Sequence, residues 1–188
     1  MSKEKGQKLL GEERRDWLLT YLKSHPGPVT GMTLAEKANV SRQVIVGDIT
    51  LLKARNEPII ATSQGYVYMP AANGRVAEKI IACRHDSGRT ELELQIIVDH
   101  GVTVKDVKVE HPVYGDLTAS IMVSNRQDVA DFIQRIQETN ASLLSELTGG
   151  FHLHTLTATN VQMIEKAEEE LKKAGILVEE NEENGVDS

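Results

Sequence analysis

The first seventy residues contain three helix-like segments followed by two strand-like segments, and this order restricts the possible fold more than any other feature of the chain. Residues 12–24 place large apolar side chains at helical spacing, and the segment HPGP at 25–28 ends that helix. Thr33 and Glu36 have the spacing of a capping box, which predicts that Thr33 begins a short second helix.

A third helix and a hairpin complete the pattern. Ser41 is the expected N-cap of a third helix that runs to about Arg55. The segments 58–62 and 66–69 are rich in aliphatic and aromatic residues, and the polar, glycine-containing turn between them predicts a β-hairpin. Helices and hairpin follow one another in this order in winged helix-turn-helix domains, which predicts a DNA-binding unit over residues 1–71.

The two faces of the third helix differ in chemistry. One broad side is apolar and is expected to lie in the core: Val44, Ile45, Ile49, Leu51 and Leu52. The opposite side carries groups that read base edges and grip phosphates: Arg42, Gln43, Val46, Thr50 and Lys53. We predict that these side chains contact DNA together with Ser41 and with Gln64 in the hairpin turn. A small helical domain that binds another protein is the alternative interpretation.

The net charge of −7 conceals an asymmetry along the chain. Residues 1–72 carry ten basic and seven acidic side chains, so the excess of negative charge lies in the remainder. Phosphate binding depends on local charge, and the first part is suited to it. Cys83 is the only cysteine, the N-terminus lacks a signal-peptide pattern, and no apolar run approaches the ~20 residues of a membrane span. We therefore expect a cytoplasmic protein that does not contact a membrane.

The pattern changes near residue 72 to a mixture of strands and helices. The strand-like segments are 76–83, 102–110, 117–123 and 151–158, and the helical ones are 90–101, 124–139 and 160–174. Thr90 and Glu93 form a second capping box, and Ser124 is the expected cap of the following helix. The predicted fold class is α+β, with the winged helix-turn-helix followed over 72–178 by a mostly antiparallel sheet packed against helices. The acidic segment 179–188 is expected to be a disordered tail.

The histidines of this second domain indicate a metal site. His152 and His154 are two residues apart on a predicted strand, so both imidazoles project from the same face. His85 follows another strand, and Glu93 lies at the start of the next helix. Three imidazoles and one carboxylate suit Zn²⁺, Ni²⁺, Fe²⁺ or Mn²⁺. Two histidines spaced in this way also occur as exposed polar residues, and Cys83 is either a core residue or a softer ligand, so the residue types leave these interpretations open.

Four segments carry a resemblance to a known family: residues 39–68, IIVDHG at 96–101, VKVEHPVYGDL at 107–117 and LTGGFHLHTL at 147–156. The first segment resembles the helix-turn-helix of nicotinic-acid-responsive repressors of NAD biosynthesis. The other three resemble the three-histidine (3H) domain of those repressors, and their HPVYG and HLHT blocks are far more specific than a generic winged helix. The resemblance covers nearly the whole chain except the extreme N-terminus and the acidic tail.

The resemblance implies a homodimer that represses genes for NAD synthesis and nicotinate uptake, with nicotinic acid as co-repressor. It implies one divalent metal ion per subunit, held by His85, Glu93, His152 and His154. For the nicotinate carboxylate we consider Arg84 and Arg89 as charge partners, and the HPVYG segment, with His111 and Tyr114, as pocket lining. We expect the ligand to favour the arrangement of two subunits that spaces their recognition helices for an operator.

Three other functions remain open at the level of the sequence. In one, the metal itself is the signal, as in a metal-responsive regulator. The second is a metal-dependent hydrolase with an accessory DNA-binding domain, because three imidazoles and a carboxylate can activate water. No further general base or nucleophile motif accompanies these residues, so we expect no enzyme. The third is a plain protein-interaction module, which the polar face of the third helix disfavours.

Overall fold

The computed structural model describes residues 10–69 and 76–178. The chain divides into two compact units, Met1–Gly74 and Arg75–Ser188. The expected boundary at residue 72 and the expected disordered tail both lie outside the described residues. None of the helices in the described ranges is long and apolar enough to cross a membrane.

The N-terminal unit has the predicted order of elements. They are α1 (Gly11–Ser24), α2 (Gly31–Ala38), α3 (Arg42–Ala54), β1 (Ile59–Thr62) and β2 (Gly65–Tyr68). The two strands pair antiparallel, and Val29 forms an isolated bridge to Tyr66. Each helix buries one side, with Leu18, Leu34 and Ile45 completely enclosed, and the hairpin packs onto the same core. This arrangement confirms the winged helix-turn-helix.

Thr30, not Thr33, caps α2. The Thr30 hydroxyl accepts a hydrogen bond from the backbone N–H of Thr33 at 3.1 Å, and the helix begins at Gly31. The capping-box prediction was wrong by three residues, because the extended backbone of Thr30 places its hydroxyl over the free N–H groups of the first turn. Ser41 is confirmed as the cap of α3, since its hydroxyl accepts from the N–H of Val44 at 3.4 Å.

The buried side of α3 contains a carboxylate that the apolar pattern did not predict. The buried residues of this helix are Ile45, Asp48, Ile49 and Leu52. Asp48 forms an ion pair with Arg14 of α1. Leu51 was expected in the core but is 48% exposed, because it lies two positions from Ile49 and therefore on nearly the opposite side of the helix. Val44 is half-buried.

The C-terminal unit is an antiparallel sheet with helices on one face. Its elements are β3 (Ala77–Arg84), α4 (Thr90–Asp99), β4 (Thr103–His111), β5 (Gly115–Val123), α5 (Arg126–Thr139), β6 (Phe151–Ala158) and α6 (Val161–Lys173), with short 3-10 turns at Ser87–Arg89 and Leu144–Thr148. The strand order is β3-β6-β4-β5. Ile81, Val104 and Leu156 pack with the helices in one core, whereas Ile80 and Leu153 on the other face are exposed. The α+β prediction is confirmed.

Two of the predicted caps in this unit differ from those in the structure. Arg89 precedes α4, and no side chain caps that helix, so Thr90 and Glu93 do not form a capping box. Glu93 is instead completely buried. The cap of α5 is Asn125 rather than Ser124, since its side chain accepts a hydrogen bond from a backbone N–H in the first turn. The sequence spacing predicted these helices correctly and misplaced their first residues.

Candidate metal centre and nucleic-acid interface

Three separate elements position the four predicted metal ligands. His85 directly follows β3, Glu93 lies in the first turn of α4, and His152 and His154 lie on β6. Strands β3 and β6 are antiparallel neighbours in which Cys83 is opposite His152, so the end of β3 brings His85 close to the two histidines of β6. All four ligand candidates are buried.

The carboxylate of Glu93 lies at the centre of this group. Its Oε2 is 2.8 Å from Nε2 of His85 and 3.4 Å from Nε2 of His154. Its Oε1 is 3.1 Å from Nε2 of His152. The structure therefore brings together all four residues that the sequence proposed as ligands.

The other nitrogen of each imidazole is held by a backbone carbonyl. The Nδ1 atoms of His85, His152 and His154 lie 2.7, 2.8 and 2.8 Å from carbonyl oxygens. Those carbonyls belong to Asp86, Gly150 and Asp106. A carbonyl only accepts, so each Nδ1 carries a proton and donates it, which leaves Nε2 as the coordinating atom in all three rings. In metal sites, such a hydrogen bond from the second ring nitrogen to a carbonyl orients a histidine ligand.

Electrostatic interactions keep the central carboxylate ionised. Burial would raise the pKa of Glu93, but the charge of His154 and hydrogen bonds with the three imidazoles lower it well below its ordinary value of 4.5. Burial would lower the pKa of His85 and of His154, but Glu93 outweighs this effect and raises both above 6.5. The group therefore binds positive charge at its centre, as protons or as a cation.

Cys83 belongs to an overlapping donor group. Its sulfur and donor atoms of Glu93 and His152 lie within 4.8 Å of one another, and all three residues are buried. Burial raises the pKa of the Cys83 thiol far above its ordinary value of 9.0, and the charge of Glu93 adds to the effect. The thiol stays protonated and is a weaker donor than the imidazoles. The four predicted residues are the better candidate set, and Cys83 forms part of the wall.

An apolar cavity of about 160 Å³ adjoins the cluster. Glu93, His152 and His154 line one end of it, and side chains of α4, α5, β4 and β5 with the segment 142–145 form the rest. Thr90 also lines the cavity, and its hydroxyl is buried without a hydrogen-bond partner in the described part of the chain. This cavity is not predictable from sequence spacing, because its walls come from segments far apart in the chain. No sequence pattern indicates the cavity, because the spacing of Thr90 and Glu93 is typical of a capping box.

The four residues predicted to contact the effector do not line this cavity: Arg84, Arg89, His111 and Tyr114. Arg84 lies over an aromatic ring of β6 and lines a more open depression beside His85. Arg89 donates a hydrogen bond to the carbonyl of Ala174 at 2.5 Å. His111 accepts hydrogen bonds from backbone N–H groups of its own turn, where Tyr114 is 74% exposed. These four residues therefore lie outside the cavity beside the histidines, and their contact with an effector stays a prediction.

The predicted DNA contacts lie along α3 and in the hairpin turn. Arg42, Gln43, Thr50 and Lys53 are exposed, and Val46 is half-buried between them. The Thr50 hydroxyl donates to the carbonyl of Val46 at 2.8 Å. Within the described residues, the side chains of Arg42, Gln43 and Lys53 form no ion pair or hydrogen bond, so they are available to a ligand. Gln64 lies in the turn between β1 and β2.

Comparisons with known proteins agree with this two-part construction. Residues 14–67 match an HTH domain family, and residues 78–180 match the 3H domain family. The chain is 62% identical to "Transcription repressor NadR" of Bacillus subtilis (strain 168) over 175 residues, which cover 92% of this chain and 97% of that protein. It is 38% identical to "Probable transcription repressor NiaR" of Thermotoga maritima over 173 residues, which cover 92% and 98%.

Both relatives are named as repressors and neither as an enzyme, in agreement with the expectation that this chain is not an enzyme. The matches include the recognition helix and the histidine cluster, and they extend over almost the full length of both relatives. The chain therefore belongs to the family of transcription repressors in which an HTH domain is joined to a 3H domain.

Proposed function

We propose that the protein is a DNA-binding repressor of genes for NAD synthesis and nicotinate uptake, with nicotinic acid as co-repressor and one divalent transition metal in each C-terminal unit. One observation carries the proposal: three imidazoles present Nε2 to a single buried carboxylate at one end of a small apolar cavity. The membership of the family and the names of the two relatives support the repressor function.

The hydrogen-bond pattern supports a cation at the cluster. With Nδ1 protonated, each Nε2 is an acceptor, and the carboxylate of Glu93 is an acceptor too. Only a proton or a cation can lie between them. Protonating all three rings would enclose three positive charges around one negative charge, and buried unpaired charge is costly. A divalent ion with neutral imidazoles satisfies the same atoms, and three nitrogens and one oxygen are donors that transition metals prefer.

The size of the cavity supports a single aromatic ring as the effector. An apolar cavity of ~150 Å³ in another protein accommodates benzene, and this one measures about 160 Å³. Phe132, Ile136 and Leu143 provide apolar walls, while Glu93 and the histidines form a polar end. A bound metal ion would supply positive charge there. Nicotinate, a pyridine ring with one carboxylate, matches both the volume and the distribution of polarity.

Repression then depends on two subunits and two recognition helices. Arg42 and Gln43 in the first turn of α3 are placed to contact base edges, since this is the part of a recognition helix that usually does so. In a homodimer, half-sites on one face of DNA recur every ~34 Å, so the separation of the two α3 helices sets operator affinity. Nicotinate acts as co-repressor if it prefers the DNA-competent arrangement, and a coupling of ~1–3 kcal/mol is typical of such effects.

The test of the co-repressor is operator binding. Metal-loaded protein is titrated by fluorescence anisotropy onto promoter DNA of a nicotinate-uptake gene, with and without nicotinate and with nicotinamide as the comparison. We expect nicotinate to tighten binding about tenfold, which corresponds to ~1.4 kcal/mol. Equal affinity with and without nicotinate would reject the co-repressor. A second outcome would show that the metal is the signal: the protein binds the operator with full affinity when only metal is present, chelation abolishes this binding, and nicotinate does not change it.

The test of the metal centre is elemental analysis of purified protein. We expect about one divalent transition metal per chain. The double substitution His152→Ala with His154→Ala should abolish it, because it removes two of the four donors. His111→Ala is the matched control, since this histidine is the last residue of β4 and lies outside the cluster. Full occupancy in the double variant would show that the metal lies elsewhere.

A further inference from the structure

We propose that the hydroxyl of Thr90 donates a hydrogen bond to the carboxylate of the bound pyridine carboxylate and thereby makes the cavity selective for an acid. This proposal rests on the proposed function, because it assumes that the cavity beside the histidines binds the effector. It assigns a specificity-determining role to a residue that is outside the candidate metal ligands.

The first observation is that Thr90 has an unused hydroxyl. The residue is 8% exposed, and within the described ranges its Oγ1 has no hydrogen-bond partner. A buried hydroxyl without a partner destabilises a folded protein, and such groups often have a functional role. Thr90 lines the apolar cavity together with Glu93, which lies one helical turn further along α4. A ligand in the cavity is therefore in a position to provide the missing partner.

The second observation is the charge of the cavity wall. The described residues that line it include no lysine or arginine, and Glu93 is its only carboxylate. The wall offers a ligand carboxylate no lysine or arginine to pair with, so the carboxylate needs hydrogen-bond donors in addition to the metal ion proposed at Glu93 and the histidines. Thr90 is the first residue of α4, where the helix dipole also favours negative charge. A hydroxyl donating to a carboxylate forms a charge-assisted hydrogen bond, which is roughly twice as strong as a neutral one.

The selectivity follows from the type of hydrogen bond. A carboxylate accepts from the hydroxyl as an ion, whereas the carbonyl of a carboxamide accepts as a neutral group, and unsubstituted pyridine has no acceptor at that position. Removal of the hydroxyl should therefore weaken nicotinate binding most, nicotinamide binding less and pyridine binding hardly at all. The order of these losses is the signature of a direct contact with the carboxylate.

The chain offers a matched control in Thr155. Its hydroxyl is also buried and also lacks a hydrogen-bond partner in the described residues, but Thr155 does not line the cavity. Thr90→Val and Thr155→Val therefore remove the same group from the same kind of environment. Both substitutions remove an unsatisfied polar atom, and we expect both to leave the thermal midpoint of the ligand-free protein unchanged or raised.

The experiment is calorimetric titration of metal-loaded, full-length protein with nicotinate, nicotinamide and pyridine. Thr90→Val should weaken nicotinate binding roughly tenfold or more and pyridine binding less than twofold. Thr90→Ser, which keeps the hydroxyl, should bind nicotinate within a few-fold of the unsubstituted protein, and Thr155→Val should bind it unchanged. Metal content is measured in every variant, so that damage to the centre is recognised.

Each outcome has a distinct meaning. Failure of the unsubstituted, metal-loaded protein to bind nicotinate contradicts the proposed function, and this proposal with it. If the unsubstituted protein binds nicotinate and Thr90→Val binds it with equal affinity, the role of Thr90 is wrong and the proposed function still stands. If Thr90→Ser loses as much affinity as Thr90→Val, the hydroxyl is not the cause, and the proposal is also wrong. If Thr90→Val does not retain its metal, Thr90→Ala and Thr90→Ser are compared in its place under the same criteria.

Discussion

Asp48 of the recognition helix accepts a hydrogen bond from Nε of Arg14 at 2.5 Å, and both side chains are at least nine-tenths buried. Arg15 approaches the same carboxylate at 3.2 Å. The pair links α1 to α3 from the inner side, opposite the surface that is predicted to contact DNA. The orientation of the recognition helix therefore depends on a charged contact inside the core as well as on apolar packing.

We predict that Asp48→Ala destabilises the N-terminal unit. Removal of one member of a buried ion pair leaves an uncompensated charge and typically costs about 3–5 kcal/mol. Trp17 is the only tryptophan and lies in α1, so its fluorescence during urea unfolding reports this unit. Glu13→Gln is the control: it substitutes an exposed residue of α1 and should change the stability of the unit little. An unchanged urea midpoint for Asp48→Ala would contradict the structural role of the pair.

We predict that Arg42→Ala weakens operator binding without affecting the metal centre. Arg42 is exposed in the first turn of α3, and loss of a direct base contact typically costs about 1–3 kcal/mol, roughly tenfold or more in affinity. The measurement is fluorescence anisotropy with operator DNA at several salt concentrations. Lys173→Ala removes one positive charge from α6 and should leave the affinity unchanged. Equal losses in the two variants would indicate nonspecific electrostatics instead of recognition by α3.

The sequence predicted the elements of both units well, because their apolar spacing follows from local geometry. Helix starts were less predictable, since several threonines and serines compete to cap one helix. The caps are Thr30 and Asn125 and not Thr33 and Ser124. The backbone of each cap residue is extended and places its side chain over the free N–H groups of the first turn. The burial of Asp48 was not predicted, because the arginine that neutralises its charge, Arg14, lies on another helix.

The candidate metal ligands could be proposed from sequence because two of them are two residues apart on one strand. The position of His152 and His154 on a common face requires only the pleat of β6. The cavity was not predictable in this way, because it forms only when α4, α5 and the segment 142–145 meet over the sheet. Arg84 and His111 lie outside this cavity, and their contacts with an effector stay predictions.

We predict that the stabilisation by metal increases with pH. In the metal-free protein, the pKa values of His85 and His154 are raised above 6.5 by Glu93, so their protons stabilise the fold at low pH and this contribution is lost as pH rises through the raised values. Metal ions require neutral imidazoles and compete with those protons. The difference in thermal midpoint between metal-saturated and chelated protein should therefore widen from about pH 6 to about pH 8.

The control for this pH dependence is a histidine outside the cluster. His100→Asn, at the end of α4, should leave the widening intact, whereas His154→Ala should largely abolish the stabilisation by metal. A difference in midpoint that stays constant over the pH range in the unsubstituted protein would mean that the metal does not displace protons from these imidazoles.

We predict that Gly150→Ala damages the metal centre although Gly150 is not a ligand. A Cβ at this position would lie 2.3 Å from the carbonyl oxygen of His85, and the backbone φ is +94°. The carbonyl of Gly150 also accepts the hydrogen bond of Nδ1 of His152, so a shift of this backbone would move two candidate ligands at once.

Gly149→Ala is the matched control: its φ is also positive, but its Cβ would meet nothing within 4 Å. We expect metal affinity, measured by chelator competition, to fall at least tenfold in Gly150→Ala and little in Gly149→Ala. Equal affinities would show that the glycine does not position the imidazoles.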